Sequence, residues 1–401
     1  MQFSYEWLSA QVKNYCKNQH KSPVFISDWN INQSITQIPF DLVNTAFFNS
    51  NNEAHLYKNI DDHLEVKENY SSLLANIYNL SISPMDITVT TTSTNSLYLI
   101  LHTLFSKGIK KYLVFTPVYF SVKDTLKDLN CTSVYYPLID KNNFCIEIDK
   151  VIKTVKANNL EAIIITDPVH GAGVELPIET YKELSSFCNK NDIWLICDYT
   201  LGGLFWDEKI FSVVNTNKFQ QIIRTNKFII VDSLAKKLFL NGVKNSTIFA
   251  PKDIIKVIED LVYQVSGGLC FLQLSLFNEL IKPINQMVIK KMMQANIDKT
   301  ISNYRLTKTA LLGTSYSIYE PTSGHFGMIY HNTLLAEEID EREIFKLFLN
   351  QYGVYILPCK YFSYSSKNQF SFRINFLGNF TEYLSPLIYC INENLDLLKM
   401  I

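Results

Sequence analysis

From about residue 85 onward the chain alternates short apolar runs with segments of helical spacing, and that alternation most limits what it can fold into. The runs are Ile87–Thr90, Tyr112–Phe115, Ala162–Ile165, Ile193–Ile196 and Phe228–Val231. Between them lie patterns such as Leu97, Ile100, Leu101 and Leu104, stopped by Gly108, and Ile178, Tyr181, Leu184 and Cys188. Apolar strands that alternate with helices imply a largely parallel sheet buried on both faces, an α/β fold. In such sheets ligands bind beyond the C-terminal ends of the strands. The polar and conformationally special residues of this chain cluster there: Pro117 and Tyr119, Asp167 to Gly173, Asp198, and Ser233 with Lys236.

After about residue 280 the texture changes. Helical stretches lead to Gly324-His325-Phe326-Gly327 and then to Phe370-Ser371-Phe372-Arg373-Ile374-Asn375-Phe376, whose alternation fits a smaller α+β unit. The first 45 residues offer one amphipathic segment, Tyr5 to Tyr15, and too little apolar surface for a core of their own. The expected organisation is an N-terminal arm over 1–45 that packs with the small domain, a large domain over 46–280 and a small C-terminal domain over 281–401. A helix is expected over Leu64 to Leu80. The 37 lysines and arginines nearly cancel the 38 aspartates and glutamates, which disfavours a nucleic-acid partner. The eight cysteines are scattered without a C-x-x-C pair, so free thiols in the cytoplasm are expected, and no metal. No apolar run is long enough to cross a bilayer, and none follows a basic N-terminus.

Several of these residues have a bland reading and a chemical one. Lys236 closes the run Phe228 to Val231 and the turn Asp232-Ser233-Leu234-Ala235. It is either an ordinary surface lysine or, partly desolvated, a nucleophilic amine able to form a Schiff base with an aldehyde. Thr92-Ser93-Thr94 joins a strand to a helix, so it offers either a simple N-cap from Ser93 or Thr94, or a phosphate cradle of free N–H groups and hydroxyls. Asp198 follows a buried strand, as a cap, an ion-pair partner or a functional carboxylate. Arg373 sits in an otherwise apolar strand and needs an anion, either a structural acid or a substrate carboxylate. Tyr57 lies in a polar loop, where a surface aromatic is the plain reading.

Taken together, the motifs from about Tyr57 to the C-terminus resemble those of fold-type I pyridoxal-phosphate enzymes, the class I/II aminotransferase superfamily. The resemblance implies that Lys236 forms the Schiff base with pyridoxal 5'-phosphate, with Ser233 three residues before and Lys244 eight after, both on the phosphate. Lys244 stands where arginine is usual. It further implies Ser93 and Thr94 in the phosphate cradle, Tyr119 stacked on the pyridine ring, Asp198 on the pyridine nitrogen and Arg373 on the substrate α-carboxylate. Tyr57 would reach a neighbouring subunit's phosphate in a homodimer. The implied activity is transamination of an amino acid. The same machinery also serves elimination, cyclisation, decarboxylation or oxidation, and a non-catalytic cofactor or amino-acid sensor is a third reading. Two departures stand out. His170 replaces the asparagine that bonds the cofactor's ring oxygen, and Leu201 replaces the tyrosine that shares that task. Leucine donates nothing, and histidine, whose charge depends on pH near neutrality, is expected to couple its protonation to that of the imine; the alternative is that a nearby tyrosine or a water supplies the missing donor.

Overall fold

The computed structural model describes residues 4–31, 38–53, 55, 63–204, 206 and 213–393. Its twelve strands are β1 (Val24–Phe25), β2 (Ile87–Thr90), β3 (Lys111–Thr116), β4 (Thr132–Pro137), β5 (Ala162–Thr166), β6 (Trp194–Asp198), β7 (Phe228–Asp232), β8 (Ser246–Phe249), β9 (Tyr316–Ile318), β10 (Phe326–Leu335), β11 (Val354–Tyr355) and β12 (Gln369–Asn375). Seven of them form the central sheet in the order β2-β8-β7-β6-β5-β3-β4. Pairing from β4 through β7 is parallel, and only β8 runs against its neighbours. Strands β5 and β6 are buried at every residue, as the continuous apolar runs require of strands covered on both faces.

Register sets the position of the chemistry. Thr166 lies opposite Asp198, and Asp198 opposite Val231, so the C-terminal ends of β5, β6 and β7 stop at one level. The chain order jumps between β5 and β3 on one side of that edge, the kind of switch point where a crevice opens in an open sheet.

A second, three-stranded antiparallel sheet, β12-β10-β9, carries Arg373 opposite Met328. The N-terminal segment is drawn to this part of the molecule. β1 pairs in parallel with β11, and the helix Tyr5–Gln19 packs on the helix Glu341–Tyr352. Asn375 then fastens the following stretch, with its side-chain amide donating to the carbonyls of Asp28 and Asn30 at 2.7 and 3.0 Å. The expected helix from Leu64 is found as Leu64–Tyr78, ended by Asn79 in the left-handed conformation. A helix over Phe40–Glu53, rich in asparagine and without clear periodicity, spans the expected boundary between residues 45 and 46 and packs on the helix Phe271–Ile281. No helix among the described residues is long and apolar enough to cross a membrane.

Candidate active site

A cavity of about 440 Å³ opens at the C-terminal ends of the parallel strands. Among the residues expected in a site, its wall includes Ser93, Thr94, Tyr119, His170, Asp198, Ser233, Lys236 and Lys244, together with Leu201. Arg373 lies beside the cavity without lining it, and Tyr57 lies outside the described residues.

Two adjacent lysines follow β7, and packing separates their roles. Lys237 is buried and paired with Asp232 at 2.5 Å, while Asp232 also accepts from the Tyr70 hydroxyl at 2.7 Å. Lys236 faces the cavity instead. Its amine donates to Asn241 Oδ1 at 2.8 Å and sits 4.7 Å from the centre of the Trp29 ring. Burial, with the nearby charges of Lys244 and Arg373, pushes its amine down to about 8. At neutral pH a useful fraction is therefore the neutral, nucleophilic form.

Asp198 ends β6 with its carboxylate in the cavity wall. One oxygen, Oδ1, accepts from the Thr200 hydroxyl at 2.6 Å and the Thr200 N–H at 3.2 Å. Among the described residues nothing donates to Oδ2. Burial pushes the carboxyl up; the two Thr200 hydrogen bonds oppose this, and neighbouring Asp232 adds to it.

At the end of β2, Thr92 adopts an extended conformation and its hydroxyl accepts from Asn95 N at 3.0 Å. The cap is thus Thr92, not Ser93 or Thr94. That leaves the first N–H groups of the fourteen-residue helix Ser93–Ser106, and the two hydroxyls, beside the cavity. Thr94 makes only a 3.3 Å contact with the Tyr119 hydroxyl. Across from them Lys244 takes a left-handed backbone conformation (φ 54°), one that asparagine or glycine adopts at less cost. Ser233 lines the cavity at the end of β7. Its hydroxyl hydrogen goes to the Asn245 carbonyl at 2.7 Å, so here it braces the loop that carries Lys244.

His170 stands in the same wall. It is buried among Phe362 and Tyr119, and burial with the Arg373 charge pushes it down to about 3. Burial there favours the neutral ring near neutral pH, against the charge change expected from the sequence. The hydroxyl of Tyr364 donates to the His170 backbone carbonyl at 2.8 Å and is committed there.

Arg373 has no acid within ion-pair distance among the described residues. Its guanidinium lies 4.3–4.7 Å from the rings of Phe326, Trp29 and Phe362. Nε donates to Ser27 Oγ at 2.7 Å and Nη2 to the Ser27 carbonyl at 2.8 Å, while Nη1 is buried with no partner. Burial pushes it down to about 10, against the opposing influence of four tyrosines. Ser27, Trp29 and Asn241 were not singled out in the sequence: Ser27 and Trp29 act on residues more than two hundred positions away, and Asn241, though only five residues from Lys236, belongs to no motif and takes its orientation from the Trp29 carbonyl.

The donors present suit a small phosphorylated aldehyde bearing a pyridine ring. A helix N-terminus, two hydroxyls and an ammonium group suit a phosphate. Asp198 presents an open carboxylate oxygen at a buried position, and Lys236, whose amine burial pushes down, lies in the same wall.

This architecture and site define a fold-type I pyridoxal-phosphate protein. The chain belongs to the aminotransferase class I and II family, whose model matches residues 26–384 and whose members use pyridoxal 5'-phosphate. Aspartate aminotransferase from Pyrococcus abyssi is 23% identical over 212 residues, covering 52% of this chain and 53% of that protein. A 1-aminocyclopropane-1-carboxylate synthase from Solanum lycopersicum is 29% identical over 118 residues, covering 28% of this chain and 25% of that one. The chain thus spans about half the length, or less, of the curated relatives it matches. The crystal structure of an aspartate aminotransferase from Rhizobium meliloti superposes with a TM-score of 0.82 at 14% identity, covering 99% of this chain and 97% of that one.

Proposed function

We propose that the chain is a pyridoxal-phosphate-dependent enzyme that acts at the α-carbon of an amino acid, and that its reaction is transamination. The observation that carries this reading is the Lys236 amine, depressed to about 8, in one cavity wall with the half-open Asp198 carboxylate and the free N-terminus of the helix Ser93–Ser106. When bound, the cofactor supplies an electron sink for the pair left at the α-carbon. Lys236 holds its aldehyde, and once displaced by the substrate amine takes the proton from the α-carbon. Asp198, held by Thr200, keeps the pyridine nitrogen protonated. Ser93, Thr94, Ser233 and Lys244 hold the phosphate, and Tyr119 stacks on the ring with His170 as a neighbour. Arg373 takes the α-carboxylate through its unpartnered Nη1.

A homodimer with Tyr57 reaching the partner's phosphate, a cytoplasmic location, and the division into arm (1–45), large domain (46–280) and small domain (281–401) belong to the same proposal. Leu201 in the cavity wall, which donates nothing to a ring oxygen, and the likeness to a cyclopropane-forming synthase favour a second reading. In it the same residues divert the carbanion to elimination, cyclisation, decarboxylation or oxidation. The test is incubation with pyridoxal phosphate and a panel of amino acids, with products identified. Lys236→Ala should lose both turnover and borohydride-fixed cofactor; fixation at the same position in that variant would overturn the assignment.

A further inference from the structure

Among the described residues the Lys236 amine is received by a single side chain, Asn241, at 2.8 Å. The other end of that side chain, Nδ2, donates to the backbone carbonyl of Trp29 at 2.6 Å. A carbonyl oxygen can only accept, so the Trp29 contact fixes which way the amide faces: NH₂ toward Trp29, Oδ1 toward the lysine. Trp29 is not free to drift, since Asn375 holds the carbonyls on both sides of it and its indole lies against the Arg373 guanidinium at 4.5 Å. Among the described residues the amine makes no other hydrogen bond: Lys244 and Arg373 are cations, and the buried His325 ring, though it could accept through one nitrogen, is bonded to nothing.

We propose that Asn241 is a positioning residue for Lys236, an acceptor of fixed orientation that receives the amine whenever it is free and sets the direction of its lone pair. A neutral amine has two N–H bonds and one lone pair. With one N–H committed to Asn241 Oδ1, rotation about the Cε–Nζ bond is limited and the lone pair must point away from Asn241. A base whose lone pair is aimed loses less of its reactivity to misorientation. A charged amine satisfies the same acceptor with any of its three hydrogens, so the contact persists through the proton's arrival and departure. This inference rests on the reading of Lys236 as the proton carrier, and it adds a residue that sequence spacing does not mark.

The test is made on the full-length chain freed of cofactor. Trace labelling with acetic anhydride across pH 6 to 11, with the Lys236 peptide quantified by mass spectrometry, gives the midpoint of its amine. Asn241→Ala removes a neutral acceptor that favours the charged form, so the midpoint should fall. Asn241→Asp, nearly isosteric, sets a carboxylate at hydrogen-bond distance and should raise it by about 1–3 pH units. Opposite shifts support the proposal. Midpoints that coincide with wild type in both variants overturn it, as does a fall in the aspartate variant, which would report general disruption of the loop. Because labelling does not pass through turnover, it can fail while borohydride still fixes the cofactor at Lys236, so the two readings are separable.

Discussion

Replacing Arg373 by methionine asks whether a fully buried guanidinium is kept for the fold or for a ligand. The substitution keeps the apolar stem between Trp29, Phe326 and Phe362 and removes the charge. Burial pushes Arg373 down to about 10. At about 1.4 kcal/mol per pH unit, this corresponds to a penalty on the charged form on the order of 3 kcal/mol. Methionine relieves it. Against that relief, the Ser27 hydroxyl and carbonyl each lose a donor, at about 1–3 kcal/mol for each buried group left unmet. The opposing contributions are of similar size, so the unfolding free energy should fall by less than about 3 kcal/mol. A structural ion pair would behave otherwise, since breaking one in the interior costs about 3–5 kcal/mol.

Urea unfolding of the cofactor-free chain, followed by intrinsic fluorescence, reads this directly, provided the slope with denaturant is unchanged. The same substitution should lower kcat/KM for the amino-acid substrate roughly a hundredfold or more, because two charge-assisted hydrogen bonds to a carboxylate are together worth about 3 kcal/mol at the least. A destabilisation of 3 kcal/mol or more, or an intact kcat/KM in a folded variant, would refute the reasoning. In the first case the arginine serves to hold the N-terminal segment; in the second the substrate carboxylate binds elsewhere.

Covalent capture of pyridoxal phosphate by the cofactor-free chain, trapped with borohydride, should rise about tenfold above its pH 7 rate and level off above pH 8, because an amine at about 8 is about one-tenth neutral at pH 7. Lys244→Met removes a like charge and should move that midpoint upward; a midpoint near that of an ordinary lysine in the wild type would remove the case for Lys236. His170 predicts the acid side of stability. A histidine pushed down to about 3 contributes stability that is present above its ordinary value near 6.5 and is lost as pH falls toward 3. Urea unfolding at pH 7 and pH 4.5 should show wild type losing about 2–3 kcal/mol more than His170→Asn over that interval. Equal losses in both would show that the ring is not held neutral by burial.

What could be read in the sequence follows from how local the cause is. The strands β3, β5, β6 and β7 were legible because burial on both faces demands unbroken apolar runs. β4 was not, since Thr132–Pro137 lies at the sheet edge, half exposed, and its threonine, serine and tyrosines match no single pattern. β8 was hidden by its hydroxyls: Ser246 is buried, but it bonds to the Asp232 carbonyl and to Ser96. The same division runs through the site. Lys236, Asp198 and the turn at Ser93 each follow a strand end, so the sheet alone carries them to one edge, and their spacing along the chain suffices to find them. Which hydroxyl caps the helix was less accessible, because Thr92 wins only through its extended backbone, which turns its oxygen toward Asn95. The partners of Arg373 were out of reach altogether. Its fork is closed by Ser27, 346 residues away, and the amide that holds Lys236 takes its orientation from the Trp29 carbonyl, 212 residues from Asn241. A backbone carbonyl carries no side-chain identity, so no sequence pattern can announce it. The consequence is that the reacting groups, positioned by the sheet, are legible, whereas the contacts that orient Arg373, and the carbonyl that sets the facing of Asn241, come from a distant segment folded across the cavity.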